Sequence, residues 1–288
     1  MSIIFLLKEW EVTDYDYWGS IKKVQNQLGL TATAMAAGII SKGTYSKVVN
    51  GKQSLSSDSL VKILFKNNID INDFFEMLKS TYMSESRQYE EKLFNGMQQA
   101  LNNHNTKMAQ EYLAQIKTKT SNKYLQQRAE ITVAFLTNNI DKLNDEFKKS
   151  VTDKLNSHPN WIKDIDALRL FNTSLLILPN DKVEVEMRLF FIKIAHTEQI
   201  YESMKERYAI LCCNYLDWRY KKKPKINDNV TNALKYLKDL ASTAHFENYK
   251  ICGKYFNHLF NNEIDTAKQM KSDLLALGIT VGVKNWPI

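Results

Sequence analysis

At 288 residues and 33.5 kDa the chain is several times the length of one small binding domain, which excludes a single-domain reading. Nine glycines and four prolines stand where about 20 and about 14 are usual for this length, so a turn-rich sheet protein is excluded and an all-α chain of long helices is expected. Residues 20–66 carry seven lysines (Lys22, Lys23, Lys42, Lys47, Lys52, Lys62 and Lys66) against Asp58, a local +6 out of a net +7, so the rest of the chain is near balance and excluded as a second nucleic-acid surface.

In chain order, residues 1–19 read as a leader. Its apolar run IIFLL is only five residues long and leads into Glu9, Glu11, Asp14 and Asp16, too short for a signal peptide or membrane span. A first helix is expected over 20–28, with Ile21, Val24 and Leu28 inward and Gly29 as its stop. Thr31 then caps a small helix built on Ala32, Ala34, Met35, Ala36 and Ala37, closed by Gly38. Ile39 and Ile40 point into a small core. Ser41 caps a third helix whose apolar positions are Tyr45, Val48 and Val49, which leaves Lys42, Gly43, Ser46, Lys47 and Asn50, with Thr44 at the edge and Lys52 beyond, on the other face. That face is small, polar, basic and free of acid. It suits entry into a major groove, where lysines meet phosphates and short polar side chains meet base edges; the alternative is an ordinary solvated helix face. A fourth helix is expected from Ser57 as cap, burying Leu60, Ile63 and Leu64 until Asn67 and Asn68 break it. A fifth, capped by Asp70, buries Phe74, Phe75 and Leu78.

These residues carry a resemblance. Leu30, Thr31, Met35, Ala36, Ile40, Ser41, Tyr45, Ser46, Val48 and Gly51, followed by LSSDSLVKILFKNNIDINDFF over 55–75, resemble the five-helix lambda-repressor-like, or Xre-type, helix-turn-helix. Within that class the stretch is similar to the amino-terminal domain of the Rgg (GadR/MutR) regulators of Gram-positive bacteria. The chain departs from the pattern at Ala32, where most such domains carry Gln, and in a 38–41 connection one residue longer than the common turn. The first departure bears on which bases are read.

Beyond residue 81 the pattern changes to long amphipathic segments. Helices are expected near 84–103, 106–118, 122–137, 140–150, 160–178, 181–196, 200–221, 227–242, 246–261 and 263–277, at about 40 residues per hairpin, the period of an α-solenoid. The breaks fall at Asn102 to Asn105, Asn138, Asn139, Ser157 to Pro159, Pro179, Pro224, Asn261 and Asn262, residues that disfavour helix continuation. The resemblance implies that this solenoid is tetratricopeptide-like and a peptide receptor. The domains expected are thus the leader 1–19, a DNA-binding domain 20–80 and a regulatory and dimerisation domain 81–288.

Asn172, Asn214 and Asn257 lie 42 and 43 positions apart, each late in the first helix of its hairpin. Side-chain amides donate and accept at once, so three on a concave face could hold an extended peptide by its backbone; coincidence in an Asn-rich chain is the alternative. Arg128, Arg169 and Arg219 could receive a peptide carboxylate or form ordinary interhelical ion pairs. The dimer contact is expected on the last helices, near 255–277. Cys212, Cys213 and Cys252 have no metal-ligand spacing and read as buried small hydrophobes of a reducing cytoplasm, with a redox role as the alternative.

No phosphate-cradling glycine loop, paired histidine motif or nucleophile elbow is present, so no catalytic residue, metal or cofactor is expected. The reading that follows is a cytoplasmic, homodimeric, sequence-specific transcription regulator, not an enzyme, that binds promoter DNA and is switched by a short signalling peptide, with no membrane partner. Two alternatives stay open: a repeat domain that is only a dimerisation or protein-interaction scaffold, and a helical adaptor without DNA binding.

Overall fold

A computed structural model describes residues 17–158, 160–223, 225–280 and 282–288. The leader over 1–16 and the expected helix breakers Pro159 and Pro224 lie outside the described residues. Among those described there are fifteen α-helices, two single-turn 3-10 segments and no strand, and the chain divides into two compact units, Met1–Glu91 and Lys92–Ile288.

The first unit holds α1 Tyr17–Gln27, α2 Ala32–Ala36, α3 Lys42–Val49, α4 Ser57–Lys66 and α5 Ile71–Tyr82. Each start after the first is set by a side-chain oxygen that accepts an otherwise orphaned N–H two or three residues on: Thr31 from Ala34, Ser41 from Thr44, Ser56 from Ser59 and Asp70 from Asp73. The α4 cap is therefore Ser56 and not Ser57. Stops are made in the left-handed region, at Gly29, Ala37 and Asn68, so Ala37 ends α2 one residue before Gly38. Ile21, Val24, Met35, Ala36, Tyr45, Val48, Ile63, Leu64, Phe74 and Leu78 close into one core, with Ile39, Ile40, Val49 and Leu60 packed at its margin. Two expected core residues are outside it. Leu28 is 49% exposed because α1 begins three residues earlier than expected and ends before it, and Phe75 is 49% exposed because Phe74 takes the inward position next to it.

The chain passes into the second unit through α6 Glu85–Asn102. There follow α7 Thr106–Lys119, α8 Lys123–Leu136, α9 Asp145–Asn156, α10 Ile165–Ser174, α11 Asn180–Ala195, α12 Glu202–Lys222, α13 Asp228–Lys238, α14 Ala244–Phe260 and α15 Ile264–Ala276. Helices α8, α10, α12 and α14 pack side by side in one row, and α11 packs on α13 in a second, the two-layer order of a helical-hairpin solenoid. The helix expected over 140–150 is instead a 3-10 turn, Ile140–Lys142, followed by α9, because the Asn144 side chain accepts from Phe147 N–H and starts a new helix there. The helix expected over 160–178 likewise begins only after Asp164, which accepts from Ala167 N–H.

The shortage of glycine is met by other residues at the stops: Asn138, His104 and Asn262 take the left-handed conformation that glycine usually takes. Glycine is kept where space is short. A Cβ at Gly96 would sit 2.2 Å from the Tyr112 ring, so α6 and α7 can meet only because that side chain is missing. The core runs through this unit from Ile131 to Ala267, with Trp161 against Phe171 at 4.6 Å and Phe190 against Tyr208 at 5.2 Å. Glu184 of α11 is half-buried among donors: it accepts from Tyr215 O–H at 3.0 Å, Asn227 Nδ2 at 2.9 Å and Asn229 Nδ2 at 2.7 Å. At the end of the solenoid the chain folds back on itself. Trp286 stacks on Tyr255 at 4.5 Å, Tyr255 donates to the Pro287 carbonyl, and Lys271 donates to Trp286 and Ile288 carbonyls.

Candidate nucleic-acid interface and peptide groove

Helix α3 turns Tyr45 and Val48 into the core, and this orientation places Lys42, Gly43, Ser46 and Lys47 in solvent, with Asn50 and Lys52 exposed just beyond its end. Thr44 is half-buried, its hydroxyl 2.9 Å from the capping Ser41 Oγ. Asn50 donates one N–H of its amide to the Ser46 carbonyl at 2.7 Å, so it closes the last turn and keeps its oxygen and second N–H for outward contacts. Asp58, the lone acid among the lysines of 20–66, is paired with Lys62 at 2.7 Å on α4. The exposed face of α3 is thus cationic and small, and carries hydroxyls beside its lysines. It can meet a polyanion without desolvating a carboxylate.

In the second unit the amide of Asn214 donates to Asn172 Oδ1 at 3.1 Å, joining α12 to α10 across 42 residues. Ile210, one turn before Asn214 on α12, is also exposed, as is Leu176 in the turn that follows α10. Asn257 is exposed on α14, the next helix in the row. Arg128 and Arg169 come together over one ring: their guanidinium carbons lie 4.8 Å and 4.4 Å from the centroid of Phe94. Arg128 donates from Nε to Thr173 Oγ1 at 3.4 Å, and Arg169 lies 3.7 Å from Asp166. Burial pushes Arg128 down to about 9, and the neighbouring Arg169 charge pushes the same way, against a weaker opposing pull from Asp166. Two guanidinium groups over one ring are a place where an added carboxylate is favoured.

Arg219 does not join them. It pairs with Glu184 at 3.4 Å in the half-buried cluster between α11 and α12, and so has the interhelical role. Phe94 and Thr173 complete the arginine pair, yet no sequence signal singled them out, since Phe94 is 34 residues from Arg128 and has an ordinary amphipathic position on α6. Cys212 and Cys252 are buried and Cys213 half-buried, and burial pushes the Cys212 thiol up. Among the described residues no group of His, Cys, Asp or Glu could hold a metal ion, and no helix is long and apolar enough to cross a membrane.

No protein-family model and no curated protein sequence matches the chain. Solved structures do match in shape. A proposed transcriptional regulator from Listeria monocytogenes EGD-e aligns over 94% of this chain and 95% of its own, at 15% identity and a TM-score of 0.69. The SHP pheromone receptor Rgg2 of Streptococcus dysgalactiae aligns over 91% of this chain and 94% of its own, at 13% identity and a TM-score of 0.64. PrgX in complex with cCF10 aligns over 92% and 94%, at 14% identity and a TM-score of 0.60. At such identities the likeness establishes the fold: all-α, a helix-turn-helix unit followed by a helical repeat unit.

Proposed function

We propose that this protein is a cytoplasmic, homodimeric DNA-binding transcription regulator, not an enzyme, with residues 20–80 as its DNA-binding domain and 81–288 as the receptor for a short signalling peptide. The observation that carries the DNA half is the exposed, acid-free face of α3, held outward by the burial of Tyr45 and Val48. Lys42, Lys47 and Lys52 reach phosphates; Gly43 permits close approach; Ser46, Thr44 and the Asn50 oxygen face base edges. One such helix reads a short half-site, and two copies linked in a dimer gain affinity by effective concentration.

The peptide half is supported by the Asn172–Asn214 contact, by the arginine pair and by the fold shared with the SHP pheromone receptor Rgg2. Asn172, Asn214 and Asn257 hold the peptide backbone, while Arg128 and Arg169 take an acidic side chain or terminal carboxylate; Arg219, occupied by Glu184, is left out. Binding switches the protein only through different affinity for two arrangements of the dimer. One observation favours the scaffold alternative: Asn172 and Asn214 already satisfy part of each other's capacity.

The test is a fluorescence-anisotropy titration onto the intergenic duplex beside the protein's own gene, across salt, with and without synthetic peptides encoded nearby. Specific binding shifted by a peptide is expected. Specific binding indifferent to every peptide favours the scaffold, and binding unaltered by changing Lys42 and Lys47 to Glu removes the role given to α3.

A further inference from the structure

The helix-turn-helix unit has an unusual problem of orientation. Helix α2 is five residues, ATAMA, and gives only Met35 and Ala36 to the core, while α3 gives Tyr45 and Val48. Methyl groups and two side chains resist separation of the helices but only weakly resist rolling or sliding, because apolar burial has no direction. At 3.6 residues per turn, a roll of α3 by a fraction of a turn changes which side chain faces the groove. Directional contacts must supply what packing does not.

One carboxamide does so. Gln25, on the last turn of α1, accepts from the Tyr45 O–H at 2.8 Å and donates from Nε2 to the Leu30 carbonyl at 2.9 Å. It therefore ties α1, the residue leading into α2, and α3 through one rigid amide plane. Burial pushes the Tyr45 phenol up to about 12, so it stays a donor throughout the physiological range. Asn67 does the corresponding work at the far end of α2, donating to the carbonyls of Met35 at 3.0 Å and Ile63 at 2.9 Å.

We propose that Gln25 and Tyr45 are a positioning pair that sets the roll of α3 against α1 and α2, and through it the discrimination between specific and non-specific DNA. Neither residue lies on the DNA-facing surface. The proposal rests on the DNA-binding reading, and it goes beyond that reading by assigning sequence discrimination to a contact on the inner side of the helix.

The experiment compares wild type with Tyr45→Phe, Gln25→Leu and the double variant, on the intergenic duplex and on poly(dI-dC), each over a range of salt. Removing one hydrogen bond of this kind lowers specific affinity by about three- to tenfold. The double variant falls no further than the worse single, because both lose one shared contact. Affinity for poly(dI-dC) and the salt slope on either duplex stay at wild-type values, since no lysine has moved out of reach of phosphate. Tyr45→Phe keeps the ring in the core, so it guards against a Gln25→Leu variant that folds poorly; circular dichroism melts monitor both. Equal losses on both duplexes, additive losses in the double variant, or unchanged specific affinity overturn the pair while leaving the DNA reading intact. Wild type that does not distinguish the two duplexes overturns the reading and the pair together.

Discussion

The Arg128 guanidinium is half-buried and shares the Phe94 ring with Arg169, an arrangement that stability alone does not select. Burial and the neighbouring Arg169 both push against its charge, so at pH 7, where folded and unfolded chains both carry it, the cost of burying the cation is present. Replacing Arg128 by Met is therefore expected to leave the melting temperature at pH 7 unchanged or raised, while affinity for an acidic peptide, measured by calorimetry, falls at least about tenfold. A drop in melting temperature of more than about 4 °C would mark the guanidinium as structural instead. At the same scale, the start of α4 separates two adjacent serines. Ser56→Ala removes the oxygen that accepts from Ser59 N–H and should cost about 1 kcal/mol in urea unfolding, against little for Ser57→Ala. The sequence alone could not choose between them, because both are hydroxyl residues one step from an apolar run.

Elements were legible where the period and the breaks agree. Ten long helices beyond residue 81 were expected and ten are present among the described residues, seven of them within two residues of the expected ends. Two of the three exceptions, the late starts of α9 and α10, share one cause. Over 140–156 the apolar positions Ile140, Leu143 and Phe147 fit a helix that runs straight through, and only the Asn144 side chain, by accepting from Phe147 N–H, ends one helix and starts another. A capping bond of that kind competes on equal terms with helix continuation, and the pattern of side chains does not decide the contest. The α6–α7 pair shows the converse: Gly96 sits inside a helix, where glycine ordinarily only weakens, and is a close-packing requirement. Gly96→Ala should cost about 1–3 kcal/mol or more, seen as a lower urea midpoint, since the Tyr112 ring occupies the space of the added methyl.

At the scale of the whole molecule, the end of the solenoid was expected to be covered by a partner copy near 255–277. At that end Trp286 of the same chain lies against the Tyr255 and Phe256 rings. Trp286→Ala should uncover that end, lowering stability by about 1–3 kcal/mol and producing larger species in sedimentation at high concentration. An unchanged urea midpoint would show that the tail adds no stability. A dimer contact has no need to sit on this surface, although Leu277 remains 76% exposed beside it.

By itself the sequence determined the all-α class, the two-part organisation, the α3 face and the roughly 42-residue step that brings Asn172 to Asn214. Each of these depends on local chemistry or on a regular period, and both are written along the chain. Only the tertiary structure decided that Arg128 and Arg169 share the Phe94 ring while Arg219 belongs to Glu184, and that Gln25 reaches Tyr45. Those pairings join residues far apart in sequence, and depend on how helices roll against one another. A rotation of a fraction of a turn re-aims a side chain without changing a single letter of the periodic pattern.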